Sequence, residues 1–276
     1  MTKIERERER EAEQKSSQCR LCDKSLSHRF NQKIFGKYDV EYYECLSCGS
    51  LQTEPPYWLD EAYSNSNLSN LDTGAAQRNI HNLAACLVIA KLYNLKNVID
   101  IGGGDGLLCR LLRDYEINCY VKDKYSEPKY GQGFTEQNFK KTDLIISFEV
   151  LEHLVNPKID LEEIFNYKPK LLLLTTDIWQ QQEEDWWYLS PESGQHVFFY
   201  SKKALEIIAF KYNYNILICG GYILFIKEKS PIKNLFAKLL LKGKMIRIIK
   251  GLVALLPARG VWKDHLLQKE KSKLIQ

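Results

Sequence analysis

The sequence has no run of about eighteen apolar residues, the length a helix needs to cross a bilayer, which excludes a membrane-spanning helix. Its apolar runs are short, and Leu171 to Leu174 suits a buried strand. The first residues lack the apolar stretch of a secretory signal. Glu5, Arg6, Glu7, Arg8, Glu9 and Arg10 alternate in charge instead, so a cytoplasmic protein is expected. Without an export signal, the eight cysteines are expected to be thiols or metal ligands and not disulfides. There is no internal repeat. Positive charge is scarce over most of the chain: residues 227–276 hold thirteen Lys or Arg against three acids, a net of +10, and the remainder holds 26 against 32, a net of −6. An enzyme of nucleic acid more often spreads positive charge around its cleft, so a nucleic-acid partner is not expected.

What is present is ordinary in bulk: 276 residues, 45% hydrophobic and 27% charged, fit a soluble globular protein. Residues 1–15 read as a solvated charged segment. Residues 16–56 hold two cysteine pairs, and Pro55 and Pro56 end that module. From Gly74 to Leu95, Ile80, Leu83, Ala84, Leu87 and Val88 recur at helical spacing. Strands and helices then alternate. Asn97–Ile101, Ile117–Lys122, Leu144–Phe148 and Leu171–Thr175 read as strands, with helices over Gly106–Tyr115 and Pro157–Tyr167 between them. Ser201 suits the N-cap of a helix to Tyr212. Strands at Tyr214–Cys219 and Tyr222–Lys227 meet at Gly220-Gly221 like a hairpin. The pattern predicts an α/β fold, a doubly wound sheet with its last strand reversed.

The segment Val98-Ile99-Asp100-Ile101-Gly102-Gly103-Gly104-Asp105-Gly106 is a buried strand running through a glycine-rich turn into a helix. Such glycines permit positive φ and a close backbone approach to a ligand at the helix start. Nicotinamide, flavin and S-adenosylmethionine enzymes all use loops of this kind. Asp100 and Asp105 would repel a pyrophosphate, yet they suit the α-ammonium group of a methionine moiety. The next strand ends at Asp123, where an acid can accept hydrogen bonds from ribose hydroxyls.

Together with Phe148-Glu149-Val150-Leu151-Glu152-His153 and the Asn156-Pro157 that follows, these residues resemble the class I S-adenosylmethionine-dependent methyltransferases. The resemblance covers residues 74–228. It implies a seven-stranded Rossmann-like sheet with S-adenosylmethionine over the carboxyl ends of its strands. The implied cofactor-binding residues are Asp100, Gly102, Gly104, Gly106, Asp123, Phe148 and Glu149. One departure is the third strand, near Tyr130–Thr135, which is short and lacks the acid often found there.

Cys19-x-x-Cys22 and Cys45-x-x-Cys48 stand 22 residues apart, with Gly49 after the second pair. Two such knuckles can supply four thiolates in a tetrahedron, a structural zinc site of the ribbon type. His28 is read as a surface residue. Cys86, Cys109, Cys119 and Cys219 are read as small core residues.

Cysteine knuckles ahead of such a domain resemble two groups, sugar or glycan methyltransferases and ribosomal RNA base methyltransferases. The stretch from Asp185 to Ser201 falls where acceptor contacts are usual. Its Trp186, Trp187 and Tyr188 suit sugar rings, and His196 suits a general base. In the sugar C-methyltransferases an acid precedes this histidine, and here Gln195 stands in its place. Asp72, Gly74, Arg78 and Asn79 could line the cofactor side, or simply lie on an exposed face. His153 is read as a helix-start residue, and His81 and His265 are given no chemical role. The expected activity is methyl transfer to a small-molecule or glycan-linked acceptor, such as a sugar or polysaccharide intermediate. The alternatives are a zinc-bearing RNA methyltransferase, a noncatalytic scaffold of the same fold, and an NAD enzyme. Residues 229–276 form a basic amphipathic helical tail. Its apolar positions between 230 and 256 are Ile232, Leu235, Phe236, Leu239, Ile246, Ile249, Val253 and Leu256. They suit packing on the body or a partner, or peripheral contact with an anionic membrane.

Overall fold

A computed structural model describes residues 18–64, 72–135 and 142–273, so the charged segment 1–15 lies outside the described residues. In chain order the elements are β1 (Leu26–Ile34), β2 (Tyr38–Cys45), β3 (Leu51–Thr53), α1 (Leu59–Ser64), α2 (Ala75–Tyr93), β4 (Asn97–Ile101), α3 (Leu107–Asp114), β5 (Asn118–Lys122) and β6 (Leu144–Phe148). They continue as α4 (Pro157–Asn166), β7 (Leu171–Thr175), β8 (Phe198–Phe199), α5 (Lys202–Lys211), β9 (Asn215–Cys219), β10 (Tyr222–Ile226), α6 (Pro231–Leu240), α7 (Gly243–Val253) and α8 (Gly260–Lys273). Two 3-10 turns occupy Leu151–His153 and Trp187–Leu189.

The chain divides into two compact units, each built from separated stretches. The first draws on Met1–Thr73, Val150–Asn166 and Thr176–Tyr212. Its sheet is antiparallel in the order β1-β2-β3-β8. The β1–β2 hairpin turns through Phe35 and Gly36, both at positive φ, the backbone that matches the twist of paired strands. Inward residues such as Val40, Tyr42, Leu51, Trp58, Tyr188 and Phe199 form one apolar cluster. β8 is only two residues long and pairs Leu51 with Phe199, so residues far downstream complete the sheet that the cysteine-bearing stretch begins. Ser201 caps α5 as expected, its hydroxyl accepting from the Ala204 amide.

The second unit draws on Gly74–Glu149, Tyr167–Thr175 and Asn213–Gln276. Its six-stranded sheet has the order β5-β4-β6-β7-β10-β9. The first four strands are parallel, and β10 runs antiparallel to both neighbours. Leu144–Ile146, Leu171–Leu174 and all of β10 are buried. Continuous apolar strands of this kind belong to a sheet covered on both faces.

Seven strands are expected in this sheet, and among the described residues six form it. The stretch Tyr130–Thr135 forms turns, with Gly131 N–H donating to Pro128 and Phe134 N–H to Gly131. Gly133 sits at φ +80°, a backbone conformation that interrupts a regular strand within this stretch. One bond, Val121 N–H to the Phe134 carbonyl, is its tie to the edge of β5.

α8 docks on α3 through a buried ion pair. Arg113 donates to both oxygens of Asp264 at 2.7 and 2.8 Å, and Arg110 adds a bond of 2.6 Å. Burial alone would raise the Asp264 pKa, but these bonds from Arg113 and Arg110 hold it below the usual carboxylate value.

Candidate active site and metal centre

β4 delivers Asp100 and the glycine turn to one end of the sheet of the second unit. Gly102 and Gly104 lie at φ +72° and +55°, and a Cβ built on Gly104 would meet nothing within 4 Å. Gly103 has the opposite surroundings, since a Cβ there would come within 2.5 Å of an Asp100 carboxylate oxygen. Gly106, at φ +80°, opens α3, and its added Cβ would stand 2.8 Å from the Gly131 nitrogen. Bare backbone is therefore required here, and open space faces Gly104.

Asp123 follows β5, as the sequence predicts. One carboxylate oxygen accepts from the Gly104 amide at 2.9 Å, the other from the Tyr125 and Ser126 amides at 2.8 Å each. The loop and the acid thus form one fixed arrangement. Asp100 is 2% exposed, and no partner for its Oδ2 occurs among the described residues. Burial, and then the nearby Asp123 charge, push its pKa up to about 7. Two acids held this close to an open loop favour a cationic ligand and disfavour a pyrophosphate. The Ser147 hydroxyl of β6 is likewise buried with no partner among the described residues.

Phe148 ends β6 with its ring edge-on to Tyr222, centroids 6.2 Å apart. Glu149 lies at φ +54°, a left-handed backbone that costs a non-glycine residue about 1–3 kcal/mol and is commonest at functional sites. Its amide donates to the Thr175 hydroxyl at 3.1 Å and carbonyl at 3.2 Å, which ties it to the end of β7. Asp100, Gly102, Gly104, Gly106 and Asp123 thus gather around one loop, and Phe148 and Glu149 stand at the carboxyl end of the adjacent strand.

His196 lies in the first unit, half-buried just before β8. Its Nδ1 is 2.6 Å from the Tyr188 carbonyl, which can only accept, so in the neutral ring Nδ1 carries the proton and Nε2 the lone pair. Its ring stands at 89° to that of His153, centroids 4.8 Å apart. His153 was read as a helix-start residue without chemistry. It closes a 3-10 turn instead, and burial followed by the nearby His196 pushes its pKa down to about 3. Beside it, Glu152 is fully buried, with an oxygen 3.8 Å from the His153 Nε2. The sequence shows this Glu-His pair directly, set between Leu151 and Leu154. Gln195 meets this cluster through its backbone carbonyl, 3.1 Å from the His153 Nδ1, while its side-chain amide donates to the Ala62 carbonyl at 2.8 Å. Trp186 is half-buried among Trp179, Tyr188 and Phe199, and Trp187 is 74% exposed.

The four cysteines of the two pairs converge as expected. One sulfur from each lies within 4.8 Å of the other three. The Cys19–Cys48 and Cys22–Cys45 separations are 3.7 and 3.5 Å, against the roughly 3.8 Å that a tetrahedron of 2.3 Å zinc–sulfur bonds requires. The Ser47 and Cys48 amides both approach the Cys45 sulfur at 3.4 Å, the backbone arrangement of a knuckle. The hydrogen bond from Cys19 lowers the Cys48 pKa to about 5, and the same bond with burial raises that of Cys19. The donor set and its spacing are compatible with a zinc ion. Arg20, inside the first knuckle, escaped sequence reasoning. Its guanidinium donates to the carbonyls of Thr53, Val155 and Val197, and so binds the knuckle to the segment that carries His196. His28 is exposed, as expected, and Cys86, Cys109 and Cys119 are buried.

Residues 71–217, just over half of the chain, match the family model described as a methyltransferase domain. The chain belongs to this family. It is a class I S-adenosylmethionine-dependent methyltransferase, in agreement with the motifs of the glycine loop and β6. No curated protein is significantly similar to it in sequence. Among solved structures it resembles the methyltransferase domain of a bacterial Hen1, with 19% identity over 55% of this chain and 99% of that one and a TM-score of 0.39. It also resembles the mitomycin 7-O-methyltransferase MmcR, at 15% identity over 61% and 59% of the chains, TM-score 0.42. A third is magnesium protoporphyrin IX methyltransferase from Synechocystis PCC 6803, at 16% identity over 55% and 83%, TM-score 0.41. The open space at Gly104, the buried acid beneath the loop and the unpartnered Asp100 oxygen all fit the methyltransferase cofactor, which is cationic at its ammonium and sulfonium groups.

Proposed function

We propose that this methyltransferase acts on a small-molecule or glycan-linked acceptor, a sugar or polysaccharide intermediate, with His196 as the base. The observation that carries the reading is the placement of His196, whose ring is oriented by the Nδ1 bond to the Tyr188 carbonyl and set within an aromatic segment. S-adenosylmethionine supplies a methyl group on a sulfonium, open to in-line displacement by the acceptor. In this reading Gly102, Gly104 and Gly106 provide the backbone on which it lies. Asp123 accepts from its ribose hydroxyls, Asp100 faces its ammonium group, and Phe148 and Glu149 border its methionine portion. His196 takes the proton from the acceptor oxygen or carbon, and much of the acceleration comes from holding the reactants in line. Cys19, Cys22, Cys45 and Cys48 hold one structural zinc. We assign residues 16–56 to a ribbon module, 74–228 to the methyltransferase domain and 229–276 to a tail. Thiols kept reduced for metal binding favour the cytoplasm as the place of action.

The net charge of −6 outside the tail supports a sugar or glycan over RNA. Transfer of a labelled methyl group to three acceptor sets, nucleotide-linked sugars, polysaccharide fragments and ribosomal RNA, tests this. Label is expected in one of the first two. Label confined to RNA, or absent from all three while the cofactor binds, would overturn the acceptor class.

A further inference from the structure

No helix among the described residues is long and apolar enough to cross a membrane, yet the tail carries apolar residues on two different faces. Leu241, Ile246 and Val253 are buried in the core of the second unit. Packing on the body accounts for these, together with Ala237 and the partly buried Ile249. Ile232, Leu235, Phe236 and Leu239 recur at i, i+3, i+4 and i+7 on α6, and all are at least half exposed. Ile248 and Leu252 continue this exposed apolar character on α7, and Trp262, 66% exposed, carries it onto α8. Of the 22 exposed large hydrophobic side chains among the described residues, 13 lie between Ile232 and Leu267. Scattered singly they would need no account, but concentrated on one three-helix segment they mark a binding face.

Charge decides the occupant. The tail carries a net +10, and one of its two acids, Asp264, is turned inward onto Arg113 and Arg110. Two copies of such a face would repel each other, whereas anionic lipid would attract it. We propose that the outer face of α6, α7 and α8 lies on a bilayer surface rich in anionic lipid. The apolar stripes enter the boundary between headgroups and acyl chains, and lysines such as Lys238 and Lys242 meet lipid phosphates. This face is independent of which acceptor is methylated.

The test uses the full chain, sedimented with vesicles of phosphatidylcholine alone or with about one-third phosphatidylglycerol. Binding to the anionic vesicles is expected to be at least about tenfold tighter than to the neutral ones, and about tenfold weaker again in the triple variant Leu235→Glu, Ile248→Glu, Trp262→Glu. The variant should keep its melting temperature and its affinity for S-adenosylmethionine, because none of the three side chains is buried. Equal binding to both vesicles, no binding to either, or a dimer that the triple variant dissociates would each overturn the proposal. Cofactor affinity measured on the same preparations reports on the methyltransferase separately.

Discussion

Loss of zinc from the four-cysteine site is expected to unfold the first unit. A structural zinc contributes an apparent ~10–16 kcal/mol to the folding of small zinc modules at neutral pH, comparable with the whole stability of a typical domain. The loss would not stay local. The Cys48 carbonyl accepts from the Ser201 hydroxyl that caps α5, and Arg20 ties the other knuckle to Val155 and Val197. Cys48→Ser should abolish metal binding and lower the melting temperature by more than about 10 °C, the shift that ~4 kcal/mol produces in a chain of this size. A strong chelator should do the same to the unaltered protein. Elemental analysis of protein purified under reducing conditions should find one zinc per chain. Metal-free protein that melts normally would remove zinc from the account.

His196→Ala is expected to lower turnover by about two to four orders of magnitude, the range for loss of a general base. Cofactor affinity should stay within about twofold, because no residue assigned to the cofactor is altered. The rival reading is that the ring only packs. It stands 4.8 Å, centroid to centroid, from both His153 and Tyr188, so its removal also leaves a gap among aromatic side chains. That role would cost stability but leave turnover per folded molecule nearly intact. His153, with its pKa pushed down to about 3, remains neutral near pH 7 and adds no second titration there. Turnover normalised to folded protein separates the readings, and a loss smaller than about tenfold would exclude His196 as the base.

The parts of this molecule legible in the sequence are those whose signal is local. Asp100, the glycine turn and Asp123 lie within one strand–turn–helix–strand stretch, where each residue type is dictated by backbone geometry. The cysteine pairs were readable because metal geometry fixes spacing. β8 was not, since a strand of two residues has no periodicity. Without it, nothing in the sequence shows that residues around His196 share a sheet with β3. Glu152 and His153 escaped for a similar reason, because their neighbour His196 is 43 residues away from His153. In the tail, the spacing of Ile232, Leu235, Ile246 and Val253 gave helices correctly. Helical spacing alone did not show that the first two face outward and the last two inward.

The central claim is that the glycine loop holds S-adenosylmethionine, and calorimetric titration of the wild-type chain beside Gly104→Val tests it most directly. The measurement belongs at pH 8, above the value of about 7 to which burial raises Asp100, so that its carboxylate is charged toward the cofactor. Affinity should fall at pH 6, where Asp100 is largely protonated. At Gly104 a valine would occupy the open space beside the loop and would strain a backbone at φ +55°. The account predicts saturable binding of one S-adenosylmethionine per wild-type chain, no measurable binding to the folded variant, and no binding of NAD to either. Equal affinity of the two proteins for S-adenosylmethionine would contradict it.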